Sequence, residues 1–232
     1  SNTACNTRVR FIGQTSSMTN LTLPDKVIQP SAAIAASTRA GNDYDQNLFN
    51  QLRDNSNPTF PYAWAGSVIV ETTNNTQVAV IVWSVRPREN ISPAVSGASI
   101  ANAGTQSYLP LVYKVGTCNP PNGLEWRRFT IFRVQNPTTN NANDVDIYYY
   151  NRNGTLAHQE LNRSIPAGTA LTRHTRADCS DLAPLGANWE GSVYITSDRP
   201  LVTVAETYTN AFMNPAYGAS WSTGYNGYSV TP

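Results

Sequence analysis

A strand-like segment that occurs twice is the feature that most constrains this chain. Residues 64–70 (WAGSVIV) recur as residues 189–195 (WEGSVYI), a displacement of 191 − 66 = 125 residues between the two aligned glycines. A polar turn and a second apolar run follow each copy, at 78–82 (VAVIV) and 201–205 (LVTVA). A period of this length predicts two related domains, each containing a strand–turn–strand unit, and not a solenoid of short repeats.

Weaker matches extend the alignment toward the C-terminus. Residues 93–99 (PAVSGAS) align with 215–220 (PAYGAS), and 229–232 (SVTP) align with 107–110 (SYLP). On this alignment the last residues occupy the place where a third unit would begin. Head-to-tail continuation from one subunit to the next is therefore predicted, and such contacts give open filaments when they do not close.

The domain boundary follows from the same period. We predict an N-terminal domain over residues 1–107 and a C-terminal domain over 108–232. The sequence opens at Ser1 without Met, which suits a secreted protein whose signal peptide has been removed, or a trimmed chain.

The composition favours a folded, β-rich protein with few charges and argues against two other classes. Charged residues make up 13% of the chain, about half the usual share, whereas Val, Ile, Tyr and Thr are abundant. The net charge is +1 and there is no basic stripe, so nucleic acid is not a predicted partner. The sequence contains no run of about 18 apolar residues, so no membrane span is predicted.

Short alternating segments separated by Asn, Gly and Pro turns predict antiparallel β-sandwiches. A tight hairpin is predicted at 151–154 (NRNG), and the ambiguous Ala-rich segment 31–38 is assigned as strand. One short helix is predicted in the first domain, over 43–54, because Tyr44, Leu48 and Leu52 recur every fourth residue.

The second half resembles a repeat found in secreted surface proteins of filamentous, often thermophilic bacteria. The ordered set of similar elements covers about residue 107 to the end: LPLV, VQN, DIYYY, NGT, IPAG, GSV, SDRPL and YNGY. This resemblance implies two tandem Ig-like antiparallel β-sandwich domains at the cell surface or outside the cell, and it implies no catalytic residues.

The first half is shorter than the second. From Arg8 to Arg39 is 39 − 8 = 31 residues, whereas Arg127 to Arg176 is 176 − 127 = 49 residues. The shortfall matches a hairpin, best placed at 144–150 (DVDIYYY). A sheet lacking a hairpin leaves an open edge that another chain can fill by strand donation; the alternative is that the helix near Leu48 covers the gap.

The three cysteines predict one disulfide bond. Cys5 and Cys118 each precede the first strand of their domain, whereas Cys179 has no counterpart in the first half. We predict a Cys118–Cys179 bridge within the second domain. Cys5 is then either a free thiol or a cross-link to a neighbouring subunit.

Polar and aromatic residues give candidate surface sites but no catalytic centre. The two histidines, His158 and His174, have no metal-site spacing, and no nucleophile elbow is present. We predict no catalytic residues, no cofactor and no metal. Five sequons are candidate glycosylation sites: Asn20, Asn74, Asn90, Asn153 and Asn162.

Clustered aromatic residues predict a rival function, in which rings on a sandwich stack on sugars. The candidate stacking residues are Tyr148, Tyr150, Trp221, Tyr225 and Tyr228. The sequence thus predicts a non-enzymatic extracellular structural protein, a subunit of a surface filament or pilus-like assembly whose partners are copies of itself. The alternative is a carbohydrate-binding or adhesive module whose partners are surface glycans.

Overall fold

The structure is a computed structural model that describes residues 4–36, 48–59, 64–72, 76–83, 94–116, 128–176, 178, 181–209 and 222–230. The described part of the chain is all-β, and every strand pairing in it is antiparallel. Its strands are β1 (Cys5–Gly13), β2 (Leu21–Thr22), β3 (Lys26–Ile28), β4 (Gly66–Thr72), β5 (Ile81–Trp83), β6 (Ala94–Ser96), β7 (Gly104–Val115), β8 (Arg128–Gln135), β9 (Ala142–Asn151), β10 (Leu156–Ile165), β11 (Ala170–His174), β12 (Asn188–Thr209), β13 (Ser222–Asn226) and β14 (Tyr228–Val230). The helices are α1 (Leu48–Gln51) and two 3₁₀ turns, Ile100–Asn102 and Ala183–Leu185.

The chain divides into two compact units, unit 1 (Ser1–Val80) and unit 2 (Ile81–Pro232). The boundary predicted between residues 107 and 108 lies inside β7. The two-domain arrangement with that boundary stays a prediction.

Unit 1 contains a small sheet with β1 at its centre. Strands β2 and β3 pair with successive parts of one edge of β1, and β4 pairs with the other edge over residues 7–13. Alternate residues of β1 are buried, as expected for a strand with one face on a core. That core consists of Val9, Phe11, Leu23, Leu48 and Leu52.

Two local predictions in unit 1 have different outcomes. Of the helix predicted over 43–54, the structure shows the single turn α1 (Leu48–Gln51), which places Leu48 and Leu52 in the core; residues 52–54 are not helical, and 43–47 lie outside the described residues. The strand predicted over 31–38 is wrong for the described residues 31–36, which form no strand. Pro30 lacks an N–H for a ladder, and Ser31 turns away with a φ of 60°.

Unit 2 contains an eight-stranded sheet organised around the 22-residue strand β12. The first half of β12 lies between β9 and β7, and its second half lies between β8 and β13. The two halves of β12 run in opposite directions, because Trp189 pairs with Lys114, Lys114 with Phe129, and Phe129 with Tyr208, always antiparallel. This reversal agrees with the turn predicted at 197–199. The backbone changes neighbours there, with a register shift against β7 between Thr196 and Leu201, and the Arg199 N–H donates to Ser197 Oγ at 3.1 Å.

Strands β9 and β10 form the hairpin predicted at 151–154. The Asn151 N–H donates to Thr155 O at 2.8 Å, and the Gly154 N–H donates to Asn151 O at 2.9 Å. Gly154 has a φ of +82°, which favours glycine. The core of unit 2 lies against one face of these strands and includes Ile147, Tyr149, Val193 and Ile195, all at most 1% exposed.

Candidate functional site

The two copies of the Gly-Ser-Val strand have matching partners in the structure. Strand β4 pairs with β1, and the first half of β12 pairs with β9, over seven consecutive residue pairs in each case. The pairs run from Thr7–Thr72 to Gly13–Gly66 in one and from Val145–Ser197 to Asn151–Gly191 in the other. The two strand pairs are therefore the same structure in the same register.

The glycine and tryptophan of each copy explain why this register recurs. A Cβ on Gly66 would lie 2.1 Å from Ile12 O, and a Cβ on Gly191 would lie 1.9 Å from Tyr150 O. In both places the ring of the tryptophan two residues earlier fills the other side of the glycine, within 2.6 Å of that Cβ position. Only glycine allows such a close approach of two backbones and a ring.

The end of each copy also matches, but not where the sequence alignment placed it. Ile81 pairs with Ser96 between β5 and β6, and Val204 pairs with Asn226 between β12 and β13. Residues 94–100 (AVSGASI) therefore correspond to 224–230 (GYNGYSV); residues 215–220, which the sequence alignment matched with 93–99, lie outside the described residues. We call residues 5–100 the first repeat and residues 142–230 the second repeat.

The same register corrects which strands the first repeat lacks. Strand β1 with β2 and β3 occupies the place of β9 with β10, so the hairpin at 144–150 does have a counterpart, and its predicted absence is wrong. The alignment on paired arginines produced this error, because Arg10 corresponds to Tyr148 in the structure. Among the described residues, the strands without a counterpart in the first repeat are β7, β8, β11 and β14, and of these β7 lies beside the repeated strand.

This difference leaves an edge, which we call the β4 edge, on the side of β4 opposite β1. In the second repeat β7 covers the equivalent side of β12 and pairs Leu109 with Val193. In unit 1 no other described strand pairs with β4. Val68 is 44% exposed, whereas its counterpart Val193 is fully buried.

A second observation on β4 agrees with an incomplete environment. The Ser67 hydroxyl is buried and has no hydrogen-bond partner among the described residues. Helix α1 packs on the core through Leu48 and Leu52 but leaves Val68 exposed. The described part of the helix therefore does not close this edge.

Unit 2 carries a row of four tyrosines across four neighbouring strands. Tyr148 of β9 pairs with Tyr194 of β12, Tyr194 pairs with Tyr108 of β7, and Tyr108 pairs with Tyr228 of β14. Directly opposed residues lie on one face of a sheet, and this face is opposite the core residues Tyr149 and Val193. We call these four residues the tyrosine row.

The row is open to solvent and partly ordered by its own contacts. Tyr108 is 42% exposed and Tyr228 is 72% exposed, while the rings of Tyr148 and Tyr194 stack with centroids 6.2 Å apart. The Tyr148 hydroxyl donates to Asp146 Oδ2 at 3.0 Å, and this hydrogen bond raises the pKa of Tyr148. Strands lie about 4.8 Å apart, so the row spans about 14 Å.

The predicted stacking residues divide between this face and other places. Tyr148 and Tyr228 belong to the row, and Tyr150 lies on the same face, one pair further along β9. Tyr225 packs against the core and donates to Leu111 O, and its burial raises the pKa to about 12. Trp221 lies outside the described residues.

Two members of the row, Tyr108 and Tyr194, were not predicted. Tyr194 lies within the repeated segment, where the corresponding residue is Ile69, so a signal was present. The sequence does not show that β7 lies beside β12, so nothing in it indicated that Tyr108 joins the other tyrosines.

The buried charges of unit 2 are paired and support its core. Glu160 accepts hydrogen bonds from Tyr149 Oη at 2.7 Å, from Arg163 at 2.8 Å and from Arg173. Burial raises the pKa of Glu160, but the Arg173 and Tyr149 hydrogen bonds and the two arginine charges outweigh it, so its pKa is lowered. Lys114 is buried, donates to Gly186 O, and has its pKa lowered by burial.

Each of the two histidines packs on an aromatic ring. The rings of His158 and His174 stack on Tyr149 and Phe129, 5.4 and 5.2 Å away between centroids. No group of three or more His, Cys, Asp or Glu in the described ranges is placed to hold a metal ion. Within the same ranges, no helix has the length and hydropathy of a membrane span.

The predicted modification sites are placed only in part. Cys118 and Cys179 lie outside the described residues, so their disulfide stays a prediction. Cys5 is a free, buried thiol, with Sγ 3.4 Å from Thr7 Oγ1. The sequon residues Asn20, Asn153 and Asn162 are exposed, while Asn74 and Asn90 lie outside the described ranges.

Comparisons with known proteins give little to add to this geometry. No protein-family model matches the chain, and no curated protein matches it. The crystal structure of Thermotoga maritima 1070 is similar over 56% of this chain and 97% of its own, with 12% identity and a TM-score of 0.42. The Anabaena sensory rhodopsin transducer is similar over 44% of this chain and 87% of its own, with 18% identity and a TM-score of 0.35. At these TM-scores neither likeness supports an argument about function.

Proposed function

We propose that this chain is a non-enzymatic, extracellular structural subunit that assembles with copies of itself by strand donation at the β4 edge. In this proposal the chain consists of two tandem Ig-like β-sandwich domains, of which the first is incomplete. A β-strand of a neighbouring subunit completes it, and repetition of the contact gives a surface filament.

The observation that carries the proposal is the contrast between Val68 and Val193. The two valines occupy the same register position on matching strands, and only the second is covered, by a strand that brings Leu109 beside it. An exposed edge next to an exposed apolar side chain is a template for pairing with another chain. The second repeat thus displays the kind of strand that the first repeat needs.

Strand β7 defines the chemistry of the donor. Its buried residues Leu109 and Val112 lie opposite Val193 and Gly191. A donor at the β4 edge is expected to present two apolar side chains at the same spacing, opposite Val68 and Gly66. Main-chain hydrogen bonds then provide affinity, and the two side chains fix the register.

The test compares two valine substitutions in the full chain. Val68→Lys places a charge on the β4 edge, and Val27→Lys is its matched control, because Val27 is 56% exposed on β3, along the opposite side of the same sheet. Analytical ultracentrifugation over a range of concentrations and negative-stain electron microscopy measure assembly. We expect polymers for the unaltered chain and Val27→Lys, and monomers for Val68→Lys.

A peptide tests the donor chemistry separately. The peptide SYLPLVYKV, residues 107–115, is expected to bind the full chain and to cap its assembly, whereas a scrambled peptide of the same composition leaves assembly unchanged. A chain that stays monomeric at every concentration contradicts the proposal. So does equal loss of assembly in Val68→Lys and Val27→Lys.

A further inference from the structure

We propose that the tyrosine row binds a linear, uncharged polysaccharide along the face of unit 2. This site is separate from the β4 edge and does not depend on self-assembly. The ligand would lie across the strands, with successive sugar rings on successive tyrosine rings.

The spacing of the row fits a polymer better than a small ligand. Its four rings lie on adjacent strands and share one face, at intervals set by the strand separation of about 4.8 Å. One sugar unit of an extended glycan advances by a similar length. A tyrosine offers an apolar ring face for the C–H groups of a sugar and a hydroxyl for its oxygens.

Exposure increases along the row and leaves a free approach from one side. Tyr148 and Tyr194 are half-buried and stacked on each other, whereas Tyr108 and Tyr228 are 42% and 72% exposed. A contiguous exposed aromatic surface on a protein with few charges marks an interaction site. The stacked rings of Tyr148 and Tyr194 hold each other in place at one end of the row. The exposed rings of Tyr108 and Tyr228 provide most of the surface that a ligand can contact.

The neighbouring side chains select an uncharged ligand. The next row on the same face contains Asp146, Thr196, Gln106 and Val230, in register across the same four strands. Beyond Tyr148, on the next strand β10, Gln159 pairs with Tyr148 and extends the tyrosine row by one polar side chain. Amides and hydroxyls suit sugar hydroxyls, whereas the Asp146 carboxylate repels anionic chains.

The first repeat shows that the fold does not require these tyrosines. At the matching positions Arg10 replaces Tyr148 and Ile69 replaces Tyr194, with the same register and the same alternation. Strand pairing and core packing are therefore satisfied without the aromatic rings. The tyrosine row is therefore present for a reason other than strand pairing or core packing.

Affinity electrophoresis of the full chain tests the proposal, with hydroxyethyl cellulose and glucomannan as uncharged probes and alginate as the anionic probe. We expect retardation by at least one uncharged polymer and none by alginate. Tyr108→Ala is expected to weaken binding by about three- to tenfold, and Tyr108→Phe, which keeps the ring, to retain most of it. Leu111→Ala is the matched control, because Leu111 is 44% exposed on the same strand and is not part of the row.

Four outcomes overturn the proposal. These are no retardation by either uncharged polymer, equal retardation by alginate, equal weakening by Leu111→Ala, and a changed oligomeric state of Tyr108→Ala without glycan, which would make the row a protein contact. Circular dichroism checks the fold of each variant. If Tyr108→Ala unfolds, Tyr228→Ala on the outer strand β14 takes its place, with the same expected loss.

Discussion

The strand pairs β1–β4 and β9–β12 share a register but differ in what surrounds them. In the first, Val68 is exposed and Leu23 lies in the core; in the second, Val193 is buried and Glu160 takes the place of Leu23. The Leu23 N–H donates to Val9 O at 2.9 Å, as expected where Glu160 pairs with Ile147. The same backbone arrangement thus accepts an apolar or a charged side chain at this one core position.

The presence of β7 beside β12, and its absence beside β4 among the described residues, give the two strand pairs different surfaces. Covering β12 with β7 buries its edge and also places Tyr108 beside Tyr194. The same strand that removes a docking edge from the second repeat therefore extends the tyrosine row. The first repeat has no described equivalent of β7, keeps its edge, and lacks the row.

The buried ion pair of Glu160 and Arg173 in the second repeat gives the largest expected effect. Glu160→Gln leaves Arg173 buried without its carboxylate, because Glu160 and Arg173 have side chains only 2% and 10% exposed. We expect a loss of about 3–5 kcal/mol in the free energy of unfolding. Urea unfolding of the full chain measures it. Leu23→Met is the matched change in the first repeat, and a loss as large as that of Glu160→Gln would contradict this account of the two cores.

The same carboxylate gives a pH dependence with a definite sign. The pKa of Glu160 in the folded chain is lowered from the usual 4.5, so the unfolded state binds the proton more readily. Its contribution to stability is present above the unfolded pKa and is lost as the pH falls through the lower folded pKa. We expect Glu160→Gln to flatten the acid limb of the melting-temperature profile below about pH 4.5. An unchanged acid limb would place the titration on other groups.

The two glycines that fix the register are expected to differ in tolerance. Gly191→Ala forces a Cβ against Tyr150 O in a strand paired on both sides, whereas Gly66→Ala meets Ile12 O in a strand with one described partner. We expect Gly191→Ala to cost about 3 kcal/mol and Gly66→Ala about 1 kcal/mol, since β4 has room to shift. Thermal unfolding of each variant decides this. Equal costs would indicate that β4 is held as firmly as β12.

The tryptophans of the two repeats satisfy their indole N–H groups differently. Trp189 Nε1 donates to the Asn151 side chain at 3.1 Å, and Trp64 Nε1 donates to the backbone oxygen of Thr19 at 2.8 Å. Asn151→Ala is therefore expected to cost about 1 kcal/mol, because it leaves a buried donor unpaired. Thr19→Ala is the control. It keeps the backbone oxygen that accepts from the Trp64 indole, and it removes only the hydroxyl contacts to Gln51 and Arg53. The fluorescence maximum of the native state reports on both indoles.

Periodicity and turn chemistry in the sequence predicted the strand class, the short helix and the hairpin at 151–154. Each depends on residues close together in the chain, such as Asn153 and Gly154. The register of β1 against β4 was not predictable in this way, because Gly13 and Gly66 pair across a sequence separation of 66 − 13 = 53, and no local pattern shows such a pairing. The alignment on arginines therefore matched chemically similar residues that lie at different places in the sheet.

The candidate sites were predictable to the same limited degree. Tyr148 and Tyr228 were identified from local clustering, whereas Tyr108 joins them only through the pairing of β7 with β12 and β14. Tyr225 was misplaced because its side chain belongs to the core face of β13. An open sheet edge was predicted, but its location on β4 required the register.

The smallest effect is expected on the outer face of the first repeat, where Arg10 and Glu71 form an exposed ion pair. The Arg10 Nη2 lies 2.7 Å from Glu71 Oε1, with the two side chains 37% and 44% exposed. Tyr148 and Thr196 take these positions in the second repeat, so the pair is not needed for the register. We expect Glu71→Gln to change the free energy of unfolding by less than about 0.5 kcal/mol, because solvent screens the attraction. A loss above about 1 kcal/mol in urea unfolding would mean that this pair, and not the glycine and tryptophan packing, holds β1 against β4.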